Sequence, residues 1–334
     1  MSNRPQPGVS LIDRAVPECP LCHRSEWVRV RTSPDFGKCA CGLIANTSNK
    51  LVEVYRENYF TSEEPGRGHR DFESENAHRY DIVKFGHELD DIIGLPTGNK
   101  RLLDFGAATG SFLLIAEKYG WRAIGVEPSE AARDIAKSKG LRCVSSLQEV
   151  PGGELFEVIT MHHVVEHLVF PVRTLEDLRA TLSPSGIVLI EVPNWRCGER
   201  IAMGSSWIDL RPEQHRWHFT PRTLAYLCDL AGFDVIRIGT LGEPIPALTS
   251  VLRSVGLPIP SLTSALRSVG LPYTVGARPG ANKLQNVAST MRRALASKSA
   301  PLIVRTAWLV DAVLDRLHLG KRLYVVARQK KPSA

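Results

Sequence analysis

The sequence predicts an α/β protein in which helices cover both faces of a doubly wound sheet. Residues 101–105 predict a short buried strand, and a loop of small residues bracketed by Gly106 and Gly110 separates it from an apolar helix. The segment 123–126 predicts a second strand, which Glu127 follows directly. A loop with few side chains before a helix lets backbone N–H groups approach a polar ligand. A carboxylate at the tip of the second strand suits a ribose diol, so the ligand is predicted to contain adenosine.

The glycine spacing narrows the choice of ligand. The loop is neither the G-x-G-x-x-G of dinucleotide-binding folds nor a P-loop with its phosphate-binding lysine. The pattern Asp104-x-Gly106-x-x-x-Gly110, followed by Gly-Val-Glu-Pro at 125–128, resembles the class I S-adenosylmethionine-dependent methyltransferases, in particular the ubiquinone-type small-molecule group. The resemblance implies a Rossmann-like seven-stranded methyltransferase sheet with helices on both faces. Later predicted strands follow in the expected order, at 156–161, 182–192, 233–239 and 322–328.

The resemblance also assigns roles around the cofactor S-adenosyl-L-methionine. The glycine loop would line the methionine part of the pocket, and Glu127 would bind the ribose hydroxyls. Residues after the third strand would lie near the adenine, and His162 would face the methyl group. The predicted cofactor-binding residues are Asp104, Gly106, Ala107, Gly110, Glu127, Pro128, Ser146, Leu147 and His162.

Four further histidines are candidates for a catalytic base, namely His163, His167, His215 and His218. Imidazole titrates near neutral pH, so any of them is suited to take a proton from the methyl acceptor. The alternative is that some of these side chains cap helices or hydrogen-bond to the backbone in the core. The sequence does not choose among the four.

Four cysteines near the N-terminus predict a small zinc ribbon over residues 1–50. Cys19 and Cys22 form one knuckle, and Cys39 and Cys41 form a second one that is a residue shorter than usual. His23 is adjacent and is an alternative ligand to one thiolate. Four thiolates would close the coordination sphere, so the zinc would be structural. The alternative is a degenerate ribbon with free thiols.

The remaining chain divides by composition and pattern. A helical linker or lid is predicted before the core, and a basic helical insertion precedes the last strand. The insertion repeats a unit with a period of fourteen residues, first at 248–258 and then at 262–272. An amphipathic helix predicted at 301–318 indicates either peripheral membrane contact through 245–318, or packing on the domain or a partner subunit. The predicted segments are 51–99 for the linker, 100–240 for the core, 241–320 for the insertion and 321–334 for the last strand and tail.

The charge of the chain and the distribution of its apolar residues predict its cellular location. The chain of 334 residues has a net charge of +7, while residues 241–334 alone carry fourteen Lys and Arg against three Asp and Glu. No run of eighteen apolar residues exists, and the first residues lack the apolar centre of a signal peptide. We therefore expect a cytoplasmic protein, with peripheral contact at the inner membrane surface as an option. The oligomeric state stays open.

The predicted function is methyl transfer from S-adenosylmethionine to a small molecule or a glycan precursor. The chain lacks Asn-Pro-Pro-Tyr or Asp-Pro-Pro-Tyr after the fourth strand and a Pro-Cys nucleophile, which disfavours a nucleic-acid substrate. An RNA methyltransferase is the alternative, because a zinc ribbon with a basic C-terminal region is a profile of RNA binders. A non-catalytic cofactor-binding module is a third reading. The acceptor, and whether O, N or C is methylated, stay open.

Overall fold

The computed structural model describes residues 18–48, 84–86, 88–89, 100–153, 155–242 and 313–331. Most of the predicted linker and of the basic insertion, including both copies of the repeat, therefore lies outside the described residues. No helix among the described residues is long and apolar enough to cross a bilayer.

The described residues contain eleven strands, which form two sheets. The strands are β1 (Trp27–Arg29), β2 (Phe36–Cys39), β3 (Ile44–Asn46), β4 (Arg101–Phe105), β5 (Arg122–Val126), β6 (Cys143–Val144), β7 (Phe156–His162), β8 (Leu182–Pro193), β9 (Trp217–His218), β10 (Phe233–Leu241) and β11 (Arg322–Gln329).

Five α-helices are described between these strands. They are α1 (Ser111–Lys118), α2 (Glu130–Ser138), α3 (Pro171–Arg179), α4 (Gly198–Met203) and α5 (Pro221–Leu230). Local sequence explains where some of them begin. The N-cap Thr220 forms a reciprocal capping box with Thr223, and Pro221 occupies the first turn of α5, where no backbone N–H is needed.

The larger sheet has seven strands in the order β10-β11-β8-β7-β4-β5-β6. Strands β4 to β8 are parallel, and β11 runs antiparallel to both of its neighbours. The predicted seven-stranded α/β sheet is thus confirmed. The chain builds outward from β4 in one direction and from β7 in the other, so the carboxyl ends of β4 and β7 meet at a topological switch point. Ligands of open α/β sheets bind at such a point.

The smaller sheet joins the cysteine-rich segment to the core. Its order is β1-β2-β3-β9, and β9 belongs to the chain between β8 and α5. Trp27 of β1 stacks on Trp217 of β9 with ring centroids 6.3 Å apart, and both side chains are buried. Two large aromatic side chains bury enough apolar surface to fix so short a strand pairing. The segment is therefore packed on the core, close to the carboxyl ends of its strands.

Candidate active site

The glycine loop after β4 depends on backbone conformations that favour glycine. Gly106 has φ of 89°, and a Cβ at this position would collide with the side chain of Val164. Gly110 has φ of 82°, and its Cβ would lie 2.5 Å from Leu141 Cδ1. Both glycines are thus required by φ and by close approach. The loop passes over the end of β5, because the N–H groups of Gly106 and Ala107 both donate to the carbonyl oxygen of Val126 at 2.7 and 3.1 Å.

Glu127 lies beneath this loop and is 1% exposed. Its Oε2 accepts from the N–H of Ala108 at 3.0 Å, and its Oε1 accepts from the N–H of Ser129 at 2.9 Å. Burial raises the pKa of Glu127 above its usual value, while these two N–H groups favour the ionised form. Each carboxylate oxygen has a second lone pair, so the side chain can accept further hydrogen bonds. Pro128 follows on the surface.

Ser146 and Leu147 follow β6 at the same edge of the sheet. Leu147 begins a short 3-10 turn, and both residues are half-buried. The preceding Ser145 fixes the turn, since its N–H and its hydroxyl donate to the two carboxylate oxygens of Glu149 at 3.0 and 2.5 Å. Ser146 and Leu147 therefore lie beside β5, the strand that precedes Glu127.

Asp104 and His162 lie together at the switch point. Asp104 is buried and accepts a hydrogen bond of 2.7 Å from Thr160 Oγ1. His162 Nδ1 lies 3.5 Å from Asp104 Oδ1, and His162 Nε2 lies 2.6 Å from Glu88 Oε2. Although burial alone would lower it, Glu88 and Asp104 raise the pKa of His162 to about 9. The imidazole is therefore a cation at neutral pH, held between two carboxylates, with its ring centroid 4.6 Å from that of Phe112.

A second group of buried charges surrounds Glu191, near the end of β8. Its Oε1 lies 2.8 Å from Lys84 Nζ and 3.3 Å from His163 Nε2, and its Oε2 lies 2.7 Å from Arg322 NH1. Burial alone would raise the pKa of Glu191, but Arg322, Lys84 and His163 hold it well below its usual value. Arg322 NH1 also lies 3.6 Å from Glu88 Oε1, which connects the two groups.

His163 is the most exposed of the four candidate histidines, with 41% of its side chain accessible. Its Nδ1 lies 3.2 Å from Glu166 Oε1, opposite the contact of Nε2 with Glu191. Although desolvation opposes the charge, these two carboxylates raise the pKa of His163 to about 9. The backbone of His163 has φ of 56°, which turns the chain sharply at the end of β7. His163 is thus accessible and protonated at neutral pH.

His167 and His215 are neighbours, and their pKa values are lowered where that of His163 is raised. Their ring centroids are 4.9 Å apart, and the carboxylate of Glu166 lies beside them. Burial lowers the pKa of His167, and burial together with the neighbouring histidines lowers that of His215 well below the usual value. Both rings are therefore neutral at neutral pH. The structure brings all four candidate histidines close together, since His163 also contacts Glu166 and the ring centroid of His218 lies 5.4 Å from that of His215.

His218 is placed differently, inside an aromatic cluster. It is 1% exposed, and its ring centroid lies 5.0 Å from both Phe36 and Trp195. Its Nε2 is hydrogen-bonded to the carbonyl oxygen of Leu210 at 3.2 Å. These contacts favour a packing role at the junction of the two sheets.

The four predicted zinc ligands converge in spite of the shortened second knuckle. The Sγ atoms of Cys19 and Cys41 are 3.6 Å apart, those of Cys22 and Cys39 are 3.4 Å apart, and all four lie within 4.8 Å of one another. None of the four forms a disulfide. His23 points away from them, because its ring is exposed and pairs with Glu18 at 2.7 Å.

Sequence reasoning missed several charged residues of the site. Lys84 and Glu88 belong to a predicted amphipathic helix, where charged side chains are normally assigned to the solvated face. The sequence assigns no role to Glu166, and it indicates for Arg322 only a place in the predicted strand 322–328. One sequence feature does mark Arg322 as unusual. It is a charged residue at the start of a strand that is otherwise apolar up to Ala327.

The comparisons with known proteins agree with this geometry. A family model described as "Methyltransferase domain" matches residues 72–238, half of the chain. Ubiquinone biosynthesis O-methyltransferases from Bradyrhizobium diazoefficiens and Cereibacter sphaeroides are 29% identical over 147 residues and 30% identical over 167 residues. The first alignment covers 40% of this chain and 58% of the relative, and the second covers 45% and 67%.

A third relative and a solved structure are more distant. The C-methyltransferase NovU from Streptomyces niveus is 27% identical over 129 residues, which are 34% of this chain and 29% of NovU. A SAM-dependent methyltransferase structure from Archaeoglobus fulgidus aligns with 79% of this chain and 96% of its own, at 19% identity and a TM-score of 0.42. The strand order, the glycine loop above Glu127 and the family model identify the chain as a member of the class I S-adenosylmethionine-dependent methyltransferases.

Proposed function

We propose that the protein transfers a methyl group from S-adenosylmethionine to an oxygen atom of a small molecule. The observation that carries this proposal is the glycine loop held over the buried carboxylate of Glu127 at the switch point. The relatives support the choice of atom, since those from Bradyrhizobium and Cereibacter are named for O-methylation in ubiquinone biosynthesis. A glycan or sugar precursor is the second acceptor class, and NovU, named as a C-methyltransferase, keeps carbon methylation open as an outcome.

The loop and the edge below it fit the cofactor. Side chains are excluded at Gly106 and Gly110, so the backbone can approach a ligand closely. Ser111 Oγ, at the start of α1, is buried without a hydrogen-bond partner among the described residues, and it can bind a polar ligand group. Glu127 has lone pairs left for the ribose hydroxyls. The residues proposed to hold the cofactor are those expected from the sequence: Asp104, Gly106, Ala107, Gly110, Glu127, Pro128, Ser146, Leu147 and His162.

The protein's own contribution is to position the acceptor and manage a proton. When bound, S-adenosylmethionine supplies an electrophilic methyl group, so orientation supplies much of the rate acceleration. His163 carries a proton at neutral pH and is accessible, which suits it to donate a hydrogen bond to the acceptor. His167 and His215 are neutral, so they are suited to accept a proton or a cation. His218 is too enclosed to reach an acceptor.

The cofactor assignment predicts a specific loss of affinity in Glu127→Gln. Removing one charged partner of hydrogen bonds costs about 1.5–3 kcal/mol, so we expect S-adenosylhomocysteine to bind roughly 10- to 100-fold more weakly. Isothermal titration calorimetry measures this difference. Glu130→Gln, an exposed carboxylate three residues away, is the matched control and keeps the affinity of the wild type. Absence of binding by the wild type, or equal binding by Glu127→Gln, would contradict the assignment.

Methyl transfer to defined acceptors tests the substrate class. With S-adenosylmethionine carrying a tritiated methyl group, we expect incorporation into hydroxylated aromatic acceptors, because a protonated His163 can bind their oxygen atoms. Sugar nucleotides and total RNA are assayed in parallel. Transfer to RNA alone would reject a small-molecule acceptor, and transfer to sugar nucleotides alone would move the proposal to the glycan precursor. Cofactor binding without turnover on any of the three would favour a non-catalytic module.

The variant Glu88→Gln tests the ion pair between Glu88 and His162 at the switch point. Loss of this carboxylate removes support for the imidazolium, so the pKa of His162 falls from about 9. Because that pKa exceeds the usual 6.5, the ion pair stabilises the wild type below pH 6.5, and its contribution is lost as the pH rises through 9. An NMR pH titration of the His162 ring protons measures the shift. The exposed Glu176→Gln serves as control, and an unchanged pKa in Glu88→Gln would exclude the pairing.

We further propose that Cys19, Cys22, Cys39 and Cys41 hold a structural zinc ion. The convergence of four thiols within 4.8 Å supports it, and four thiolates complete a tetrahedral site. The intact protein, grown with zinc and dialysed against EDTA, is expected to retain about one equivalent of zinc. We expect Cys39→Ser to lose this zinc and the buried Cys143→Ser to keep it. Elemental analysis decides, and a zinc-free wild type would refute the site.

The remaining sequence-based expectations stay proposals. The boundaries at 50, 99, 240 and 320, peripheral membrane contact through 245–318 and a cytoplasmic location belong to this group. Most of the segment proposed to contact a membrane lies outside the described residues. We propose no nucleic-acid partner.

A further inference from the structure

We propose that Glu166, His167 and His215 form a second metal site, separate from the cysteine ribbon, which binds a divalent transition-metal ion. Each of the three residues offers one ligand atom, and these atoms lie within 4.8 Å of one another. That separation lets a single ion contact all three with small side-chain adjustments, since metal–nitrogen and metal–oxygen bonds are about 2.0–2.2 Å long. Within the described chain, this group and the four cysteines are the two clusters with such geometry.

The backbone holds the two parts of the cluster together. Glu166 and His167 belong to the 3-10 turn Val165–His167 after β7, whereas His215 comes from the loop before β9. The N–H of Arg216 donates to the carbonyl oxygen of Glu166 at 2.9 Å, and His167 Nδ1 lies 3.0 Å from the carbonyl oxygen of Gln214. Two hydrogen bonds thus fix the loop on the turn, so the ligand set is preorganised.

Both imidazoles are oriented as metal ligands usually are. His167 Nδ1 contacts the carbonyl of Gln214, and His215 Nδ1 lies 2.8 Å from the carbonyl oxygen of Asp209. A carbonyl oxygen only accepts, so each Nδ1 carries the hydrogen and each Nε2 presents a lone pair. Metal-binding histidines commonly donate their other N–H to a backbone carbonyl in this way, which fixes the tautomer and the ring plane.

Glu166 provides the second, independent observation. Its side chain is 0% exposed, and Oε1 is paired with His163 Nδ1 at 3.2 Å. Its Oε2 is also buried and has no hydrogen-bond partner among the described residues. A buried carboxylate oxygen without a partner is costly, and each of the two histidines beside it offers a ligand atom as well. A bound cation satisfies all three groups at once.

The donor set indicates the class of metal. Two imidazole nitrogens and one carboxylate suit Zn²⁺ or a neighbouring first-row dication, whereas Mg²⁺ and Ca²⁺ prefer oxygen ligands alone. Three protein ligands leave coordination positions open, unlike the four thiolates of the ribbon. His163 is accessible and touches Glu166, so a metal ion with such open positions would lie next to an exposed side chain. That they receive an acceptor oxygen rests on the proposed function, but metal binding itself does not.

Cobalt binding to the intact protein tests the site. The ribbon is first filled with zinc and weakly held metal is removed with EDTA, after which Co²⁺ is titrated by calorimetry and visible absorption. We expect about one equivalent of Co²⁺ with weak d–d bands and without the strong thiolate charge-transfer absorption that cobalt in the ribbon would give. His215→Asn and Glu166→Gln should each weaken binding at least about tenfold. The exposed His318→Asn is the matched control and should bind as the wild type does.

Thermal unfolding in EDTA shows whether each variant folds. If His215→Asn does not fold, Glu166→Gln, which keeps the size of the side chain, still tests the site. Co²⁺ binding that is absent in the wild type, or equal in the wild type and a folded ligand variant, would overturn the proposal. S-adenosylhomocysteine binding is measured on the same samples. Intact cofactor affinity without cobalt binding would remove the metal site and leave the methyltransferase assignment standing.

Discussion

The buried carboxylate of Glu191 is the constraint on which the arrangement of the cleft depends. It lies near the end of a central strand, 1% exposed, where an unpaired charge is not tolerated. Three cations from separate parts of the chain therefore converge on it, and loss of one partner of a buried pair typically costs about 3–5 kcal/mol. Lys84 comes from the segment before the core, His163 from the turn after β7 and Arg322 from the first residue of β11. One carboxylate thus ties the linker segment and the last strand to the switch point.

The sheet register explains why these residues meet. His162 of β7 is paired with Glu191 of β8, and Arg322 enters β11 opposite Pro193 of β8. The charges consequently lie in one row across neighbouring strands, at the edge where the glycine loop also ends. The same row separates two environments, with Glu88 and Asp104 around His162 on one side and Glu166 around His163 on the other. The order of the strands therefore determines both the fold and the positions of these charges.

Local signals made the fold and the glycine loop over Glu127 predictable. Gly106, Gly110 and Glu127 are close in sequence, and the backbone geometry that they serve is set within a single strand–loop–helix–strand unit. The strands of the larger sheet are apolar runs bounded by turns, so the sequence predicts them in their order along the chain. Lys84, Glu88 and Arg322 could not be predicted in this way. Their roles depend on contacts across 74 to 234 residues, and no local pattern distinguishes a buried ion pair from a solvated charge.

The four histidines show why residue type alone did not settle the chemistry. His163 and His167 are four residues apart, yet two carboxylates raise the pKa of the first, and burial lowers the pKa of the second. A base must be neutral before it acts, so the raised pKa of His163 makes it less suited to that role than the neutral pair beside the buried carboxylate of Glu166. Glu166, His167 and His215 each offer a ligand atom within 4.8 Å of the others, which suits a cation. The hydrogen bonds that orient His167 and His215 are therefore consistent with the metal site proposed above, beside the residues first considered as bases.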